Sequence, residues 1–538
     1  MVVRMGFFNK IAGLFKGKSE QPEALEEIKP KALGYSHHGA SHVKKALQGW
    51  WAPSGGPDAD VVANLKELRA RARDLFMGTP LATGALKAIR TNVVGSGLEL
   101  SSSIDAAALG LTEEEADQWE RHTEREWRLW SSSYECDAAR RMSFGQIQGL
   151  VLLSALMSGD VFVSLPVIHR PGSVYSLRVQ VIEGDKICDP AIKDVTKDIL
   201  EGVEVGKNGE PVTYYIAKFH PDEPVRRGVN TLQEWKAVPA FGRKTGRRNL
   251  LHIMADVERP GQRRGIPIMS PVMEAVKQIG RYTDAELMAA VVSGMYTVFI
   301  KTEQPEDMIA SGIPTEMQLP TTENDPTSYE LGNGSIVGLG TGESIETANP
   351  TRPIAGFGPF VDAISTQIGA ALEIPKDVLL KSFNASYSAS RAALLEAWKM
   401  YGMRRDWLVR DLCRPVYEEW LAEAVAIGRI NAPGFFSDPA IRAAWSRSEW
   451  FGPSQGAIDP TKEVTAAQMR VENGFSTRER ETAELTGMNF DRVVEIRARE
   501  EALMQQAGLG DGTSSRAGDG SLSGVDAGFV QPDQTEQG

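Results

Sequence analysis

Two stretches with apolar residues at helical spacing flank a segment rich in Pro, Glu and Thr, and this arrangement constrains the fold more than any other feature of the chain. In the first stretch, Val272, Val276, Ile279, Tyr282, Leu287, Val291 and Met295 hold one stripe to about residue 296. Ser270 stands as its N-cap and Pro271 at the first helical position, where a missing N–H costs nothing. At 1.5 Å per residue such a helix is roughly 39 Å long, enough to span a structure rather than only pack within one. In the second stretch, Phe360, Ile364, Ile368 and Leu372 stand four apart. Between the two, "YTVFIK" reads as a strand, "EQPEDMIASGIPTEMQLPTTENDP" as loop, and "GSIVGLGTGESIE" as a short strand pair. The layout is that of a small appendage carried on two helical stalks.

Ahead of the stalks, residues 51–267 read as a mixed α/β domain. Residues 60–93 are helical in pattern, and the helix restarts at the proline of "GTPLATG". Thr112 and Glu115 have capping-box spacing at the head of another helix. A further helix over 143–158 points Phe144, Ile147, Leu150, Val151 and Leu156 at a core. The period then changes to two, and "VFVSLPVI", "YSLRVQVIEGDKI", "GVEV", "VTYYIAKF" and "NLLHIMAD" read as strands of an antiparallel-leaning sheet. The first 50 residues form a basic arm that ends in the turn-rich "GWWAPSGGPDAD".

After the second stalk, "EIPKDVLLKSFNASYSASRAALLEAWKMYGMRRDWL" places a polar loop, 375–390, between two strong helices. The helix that follows runs from 388 to about 424 on Leu395, Trp398, Leu408, Leu412, Val416 and Trp420, with a kink expected at Pro415. The span 391–450 thus combines a long kinked helix with a return to the α/β domain. Short helices fill 451–507, with Ser476 and Glu479 at capping-box spacing. The Gly/Ser/Asp-rich residues 508–538 read as a disordered tail.

Chemistry is hard to find in this sequence. The length suggests about three or four domain-sized units. Three cysteines, Cys136, Cys188 and Cys413, lie far apart, so neither a disulfide framework nor a paired metal site is offered, and a reducing compartment fits. The weakly polar run 287–300 is too short to cross a bilayer. The N-terminal "VVRMGFFNKIAGLFKGK" lacks a long apolar core and a cleavage site, and reads as a mobile arm with weak membrane affinity as the lesser alternative. A formal charge of −12 argues against a surface that grips nucleic acid all over. "VGLGTGES" nearly has the spacing of a phosphate loop, but Val337 replaces its first glycine and Glu343 stands where the lysine belongs. "SHHGASH" brings His37, His38 and His42 together without a Cys or acidic partner, so a solvated arm is the better reading. "RKTGRR", 243–248, reads as a solvated basic turn before it reads as a phosphate site, and "NAS", 384–386, has no secretion signal to give it meaning. No catalytic, cofactor-binding or metal residue is expected.

Several segments, in order across nearly the whole chain, carry a family likeness: "LRARARDLFMGTPLATGALKAIRTNVVGSGLEL", "LVLLSALMSGDVFVSLP", "ERPGQRRGIPIMSPV", "RYTDAELMAA", "GLGTGESIETANPTRPI", "NASYSASRAALLEAWK" and "DPTKEVTAAQMRVENGFSTRERE". In these the chain resembles the lambda-type portal proteins of tailed bacteriophages. The resemblance implies an α+β, portal-type fold that assembles as a ring of twelve around a DNA channel. Its parts would be a wing (51–267), a first stem helix (268–296), a clip (297–350), a second stem helix (351–374), a tunnel loop (375–390) and a helical crown (451–507). It further implies that Lys381, Ser382, Asn384, Ser386 and Tyr387 face double-stranded DNA without reading its sequence. On the same basis Val272, Val276, Ile279, Phe360, Ile364 and Ile368 form the stem contact between subunits, and Glu303, Glu306 and Glu343 belong to the clip surface. The implied partners are further copies of the chain, the terminase large subunit, a head-completion or adaptor protein, and the major capsid or scaffold protein, with no stable membrane association. The implied location is the portal vertex of the virion, after assembly in the host cytoplasm. The alternative, an ATP-driven DNA-packaging enzyme, meets the missing phosphate-loop lysine.

Overall fold

The computed structural model describes residues 38–223, 233–294, 298–302, 343–347, 356–383, 386–456 and 460–507. The chain divides into two units, residues 1–56 and 57–538. In the first, residues 38–50 are turns, with the Ser41 hydroxyl accepting the Val43 and Lys44 amides, and Trp50 and Trp51 are exposed.

The second unit begins with α1 (Pro57–Gly78), which turns Val61, Leu65, Ala72 and Leu75 inward. Thr79 breaks it, and α2 (Pro80–Val93) restarts on its proline as the sequence predicts. Next come β1 (Glu99–Ser102), the single turn α3 (Ala106–Leu109) and α4 (Glu113–Ser131), headed by the expected Thr112–Glu115 capping box. In α5 (Phe144–Ser158), Phe144, Ile147, Val151 and Leu156 are buried. Leu150 is 37% exposed, because it falls to one side of the stripe that Ile147, Val151 and Ala155 set.

The strands separate into two sheets rather than one. β2 (Asp160–Ser164), β3 (Gln180–Glu183) and β8 (Leu250–Met254) pair in the order β3-β2-β8, and β4 (Ile199–Leu200), β5 (Val203–Val205), β6 (Pro211–Ala217) and β7 (Trp235–Pro239) pair in chain order, all antiparallel. The division follows from alternation along β2. Val161 and Val163 point into the main helical core and Phe162 into a second, smaller cluster with Ile182, Val203, Tyr214 and Leu250. A strand buried on both faces needs a cover on each side, and the four-stranded sheet covers the second, with Tyr214 edge-on to Phe162 at 5.5 Å.

A 3₁₀ turn, Ser270–Val272, leads into α6 (Met273–Gly294). Ser270 is not its N-cap: its hydroxyl donates to the Pro267 carbonyl at 2.7 Å, and so is spent on the turn before the helix. β9 (Val298–Thr302) and β10 (Glu343–Thr347) pair antiparallel, with Glu343 opposite Thr302, so the two ends of the expected appendage are joined. The rest of that segment, including Glu303 and Glu306, lies outside the described residues, as do most of the N-terminal arm and the tail after 507.

The chain continues through α7 (Phe357–Ala371), α8 (Lys376–Leu380) and α9 (Tyr387–Leu408), then a π-helical turn, Val409–Cys413, and α10 (Arg414–Ala426). Where a kink was expected, the backbone stays helical from α9 into α10, and the π turn ends two residues before Pro415, the residue that cannot donate an N–H. α11 (Pro439–Trp445) and β11 (Ser448–Phe451) follow, and β11 pairs with β1 from the other end of the chain. Last come α12 (Pro460–Glu472), α13 (Arg478–Thr486) and α14 (Phe490–Gln506). Thr477 rather than Ser476 caps α13, accepting the Arg480 amide at 3.2 Å, which moves Glu479 off the position a capping box requires. Trp127 of α4 locks this return, touching Phe144, Tyr417, Trp420 and Trp450 edge-on within 5.2–5.7 Å.

One ion group ties these parts together. Asp160, fully buried at the start of β2, accepts from Arg264 Nε at 2.7 Å and from the Gly265 amide at 3.0 Å, pairs with Arg69 of α1, and meets His252 of β8 at 3.2 Å. Arg264 spends its remaining N–H groups on the carbonyls of Gly184, Ile187 and Glu201. The approach needs glycine on both sides: a Cβ at Gly159 would lie 2.3 Å from the Gly265 carbonyl carbon, and one at Gly265 would lie 2.0 Å from the Gly159 oxygen. Burial alone would raise the Asp160 carboxyl, but Arg264, Arg69 and His252 overcome it and hold it well below the usual range. Burial pushes His252 down against the pull of Asp160.

Asp160→Asn should therefore cost about 3–5 kcal/mol in urea or thermal unfolding, because it strands two buried guanidiniums. A depressed carboxyl stabilises above its unfolded-state value of about 4 and loses that contribution as pH falls further, so the wild type should also lose stability below about pH 4 more steeply than the Asn variant.

Candidate functional site

The expected site residues gather around α6, α7, α8 and the start of α9. α7 and α8 end in the same local structure. At the first end, Ile374 N–H donates to Gly369 O (2.8 Å) and Glu373 N–H to Ala370 O (3.4 Å). At the second, Ser382 N–H donates to Asp377 O (3.0 Å) and Lys381 N–H to Val378 O (3.4 Å). Each is a Schellman turn with its pivotal residue left-handed, Glu373 at φ 57° and Lys381 at φ 52°. Glycine is the ordinary occupant of such a pivot; a side chain there costs roughly 1 kcal/mol. Both turns carry a charge instead.

The polar loop is consequently shorter than 375–390. Lys376–Leu380 is one helical turn, with Val378 and Leu379 buried beside Ile374, which leaves 381–383 and 386 as the described residues between α8 and α9. Ser386 caps α9 by accepting the Ala389 amide at 3.4 Å, and Tyr387 is the first helical residue, one earlier than expected. Lys381 and Ser386 are exposed and Ser382 is half-buried, while Asn384 and the Tyr387 side chain lie outside the described residues. Phe383, not anticipated at all, is 50% exposed in the middle of the loop. A groove of about 560 Å³ between the end of α7, α8 and α9 is lined by Glu373, Pro375, Lys376, Lys399, Met400 and Met403 among others.

The stripe along α6 and α7 divides. Val272, Val276 and Ile368 are buried in this chain's own core, Ile279 is also buried, and Ile364 packs half-buried against that core. In the single chain these residues are covered by its own core and have little free surface. Phe360 does have surface: it is 47% exposed and lies 4.8 Å from Tyr282, which also stacks on Phe357 at 5.4 Å, so the three rings clasp α6 to α7. Leu287, Met288 and Val291 extend the exposed apolar surface along α6. Glu343 opens β10, so the end of "VGLGTGES" is strand and not a loop around a phosphate.

Elsewhere, several clusters of charged groups are engaged by other protein groups. Glu183, Asp185 and His220 come close enough to share a cation, but Arg73 already pairs with both carboxylates. Within the basic turn between β7 and β8, Arg247 bonds Glu419 (2.6 Å) and the Leu165 carbonyl (2.8 Å), and Arg248 lies over Phe241. Burial pushes the Cys136 thiol up to about 12 and raises Cys413 as well, so neither is a ready nucleophile. Among the described residues, no helix is long and apolar enough to cross a membrane. The strongest polar anchors were missed in the sequence, where nothing sets Arg263-Arg264 and Arg404-Arg405 apart from the chain's three other Arg-Arg doublets. Arg264 holds Asp160, Arg404 bonds the Ala255 carbonyl and Asp256, and Arg405 takes the carbonyls of Asn92, Val93 and Pro453.

Comparison with known proteins places these elements in a larger context. The family model described as "Phage portal protein, lambda family" matches residues 44–405. Portal protein B of Escherichia phage lambda is 26% identical over 505 residues, covering 91% of this chain and 93% of that protein. The portal protein of Escherichia phage N15 is 26% identical over 493 residues, covering 88% and 91%. Similar solved structures include a chain from the virion of a native gene transfer agent particle (TM-score 0.41, 14% identity, 80% of this chain and 93% of that one). Another comes from the neck of the native particle computed with C12 symmetry (TM-score 0.41, 13% identity, 82% and 98%).

The Schellman geometry separates conformation from charge at the loop. Lys381→Gly should unfold within about 1 kcal/mol of the wild type or above it. Gly369→Ala should lose about 2–3 kcal/mol, because the new Cβ would lie 2.4 Å from the Ile374 carbonyl oxygen. Urea denaturation of the two variants checks both values.

Proposed function

Because the chain belongs to the lambda family of phage portal proteins, we propose that it assembles as a twelve-membered ring at one vertex of the capsid, a channel through which DNA enters during packaging and leaves on ejection. The observation that carries this reading is the extent of the family match, which runs unbroken from the N-terminal unit through both paired helices and the polar loop, together with two curated portal proteins aligned over about nine-tenths of their length. The place of action is then the virion, reached from the host cytoplasm.

Physical features support the parts of the reading. Leu287, Met288, Val291 and Phe360 leave an apolar face on α6 and α7 that the chain's own core does not cover, as a head-to-tail contact between identical subunits requires. Loop 381–386 offers one cation and short hydroxyl groups, suited to exchanging phosphate contacts as a duplex slides past without being read. A net charge of −12 per subunit keeps the remaining surface from holding DNA fast. The segment 297–350, with Glu303, Glu306 and Glu343, is the docking surface for the terminase large subunit and later for head-completion or adaptor proteins, and the outer α/β part meets the major capsid or scaffold protein. The protein acts as a conduit without covalent chemistry; the charge of Glu343 at the lysine position of the near-match opposes the reading as a packaging ATPase.

Electron microscopy of the purified protein, with its mass in solution, tests the assembly: closed rings with an axial hole are expected, whereas monomers that hydrolyse ATP robustly would overturn the reading. Two substitutions separate the faces of the stalk. Leu287→Asp should leave the subunit's unfolding nearly unchanged and abolish rings; Val276→Asp should destabilise the subunit itself by several kcal/mol, since Val276 is 1% exposed. Rings from Leu287→Asp would remove α6 from the contact. Replacing residues 382–385 by two glycines should leave rings intact and reduce DNA retained in filled particles; unchanged filling would remove the loop from the channel.

A further inference from the structure

The last helices of the described chain dock across a seam with an excess of like charge. α14 enters it at Asn489, whose Nδ2 donates to the Ser101 hydroxyl of β1 at 2.8 Å, and at Arg492, which pairs with Glu99 at 3.2 Å. Between and beyond these two anchors, Asp491 of α14 lies near enough to repel both Glu120 and Glu124 of α4, and Glu495 near enough to repel Glu124. The α4 carboxylates cannot simply swing away: Glu120 accepts the Ile104 amide at 2.7 Å and Glu124 the Ser102 amide at 3.0 Å, which fixes both against β1 and the residues after it. Asp117 of α4 adds its charge to Glu120, and on α13 Glu479 feels Asp491 together with Glu449 of β11. The cations acting here are Arg128 of α4, which favours the ionised form of Glu124, and Arg492, already committed to Glu99. α14 contributes no buried residue, so little apolar contact offsets the repulsion.

We propose that this seam is a charge-controlled latch: protonation of the facing carboxylates, or their screening by counterions, draws α14 against α4 and β1, and full ionisation at low ionic strength releases it. The titration of the seam agrees in sign. Burial raises Glu120 to about 7, opposed by the Ile104 amide and reinforced by Asp117, Glu124 and Asp491. Burial also raises Glu124, with Asp491 and Glu495 adding to it and the Ser102 amide and Arg128 opposing. A carboxyl raised in the docked state binds a proton that the released state gives up. Because α14 buries little, the part of the rise lost on release is the repulsion from Asp491 and Glu495; docking is therefore stronger at low pH and weakens as pH rises toward about 7.

Hydrogen exchange of the full-length protein, corrected for intrinsic rates, tests the latch at about pH 6 and about pH 8.5, with about 20 mM and about 500 mM NaCl at the higher pH. The expected result is roughly tenfold slower exchange in α14 at the lower pH, partial recovery of protection by salt at the higher pH, and no such change in α5. Glu120→Gln, which keeps an acceptor for the Ile104 amide, should flatten the pH dependence. Asp491→Asn, an exposed change with no core to disturb, should raise protection at pH 8.5. Asn489→Ala should lower protection at both pH values while leaving their ratio intact, because it removes an anchor and not a charge. Equal protection of wild-type α14 at the two pH values, or a wild-type ratio in both Glu120→Gln and Asp491→Asn, overturns the proposal.

Discussion

The second unit is organised around a single carboxylate. Asp160 can hold Arg264, Arg69 and His252 only because Gly159 and Gly265 let two backbone segments meet where any side chain would collide. Through Arg264 the group reaches three carbonyls on the side of the four-stranded sheet, and through Arg69 it reaches the first helix. The segment carrying Arg264 continues through the turn Ser270–Val272 into α6. A buried ion group of this kind adds little net stability compared with well-packed apolar residues. Its contribution is directional: hydrogen bonds with defined geometry fix one arrangement of helix, strand and loop, whereas Val161 and Val163 alone would tolerate several.

What was legible in the sequence was local. The Thr112–Glu115 capping box, the helix restart at Pro80 and the strands with period-two alternation all appear, because each depends on a few neighbouring residues. The partner of an element was not legible. Alternation in "VFVSLP" identifies a strand but cannot say that both faces are covered, and so one sheet was expected where there are two. The stripe through Val276 correctly identified buried residues, but periodicity does not say whether the covering surface belongs to the same chain. β4 went unnoticed because it is only two residues long, and β7 and β11 because they are short and carry Lys, Pro or Glu, which weaken the strand signal.

The loop region shows the same limit at finer scale. Residues 376–380 read as part of a polar loop because Pro375 precedes them and Lys and Ser follow, yet one helical turn forms there, pinned by Ile374, Val378 and Leu379. The left-handed pivots at Glu373 and Lys381 could not be anticipated, since neither residue advertises that conformation. Asp160 and His252 have the displaced titration common at catalytic centres. Here the buried arginines hold Asp160 down and burial holds His252 down, and the groups they meet belong to the protein's own framework.

The pairing of β1 with β11 has a consequence for synthesis. Ser102 leaves the ribosome roughly 350 residues before its partner Ser448, an interval of roughly 20–70 s at bacterial or eukaryotic elongation rates. Until then β1 lacks its neighbour, Trp127 lacks Tyr417, Trp420 and Trp450, and the amides that Glu120 and Glu124 accept belong to a strand with an open edge. The N-terminal half must therefore wait, incompletely covered, for the C-terminal third. β1 therefore gains its neighbour only in the last fifth of synthesis.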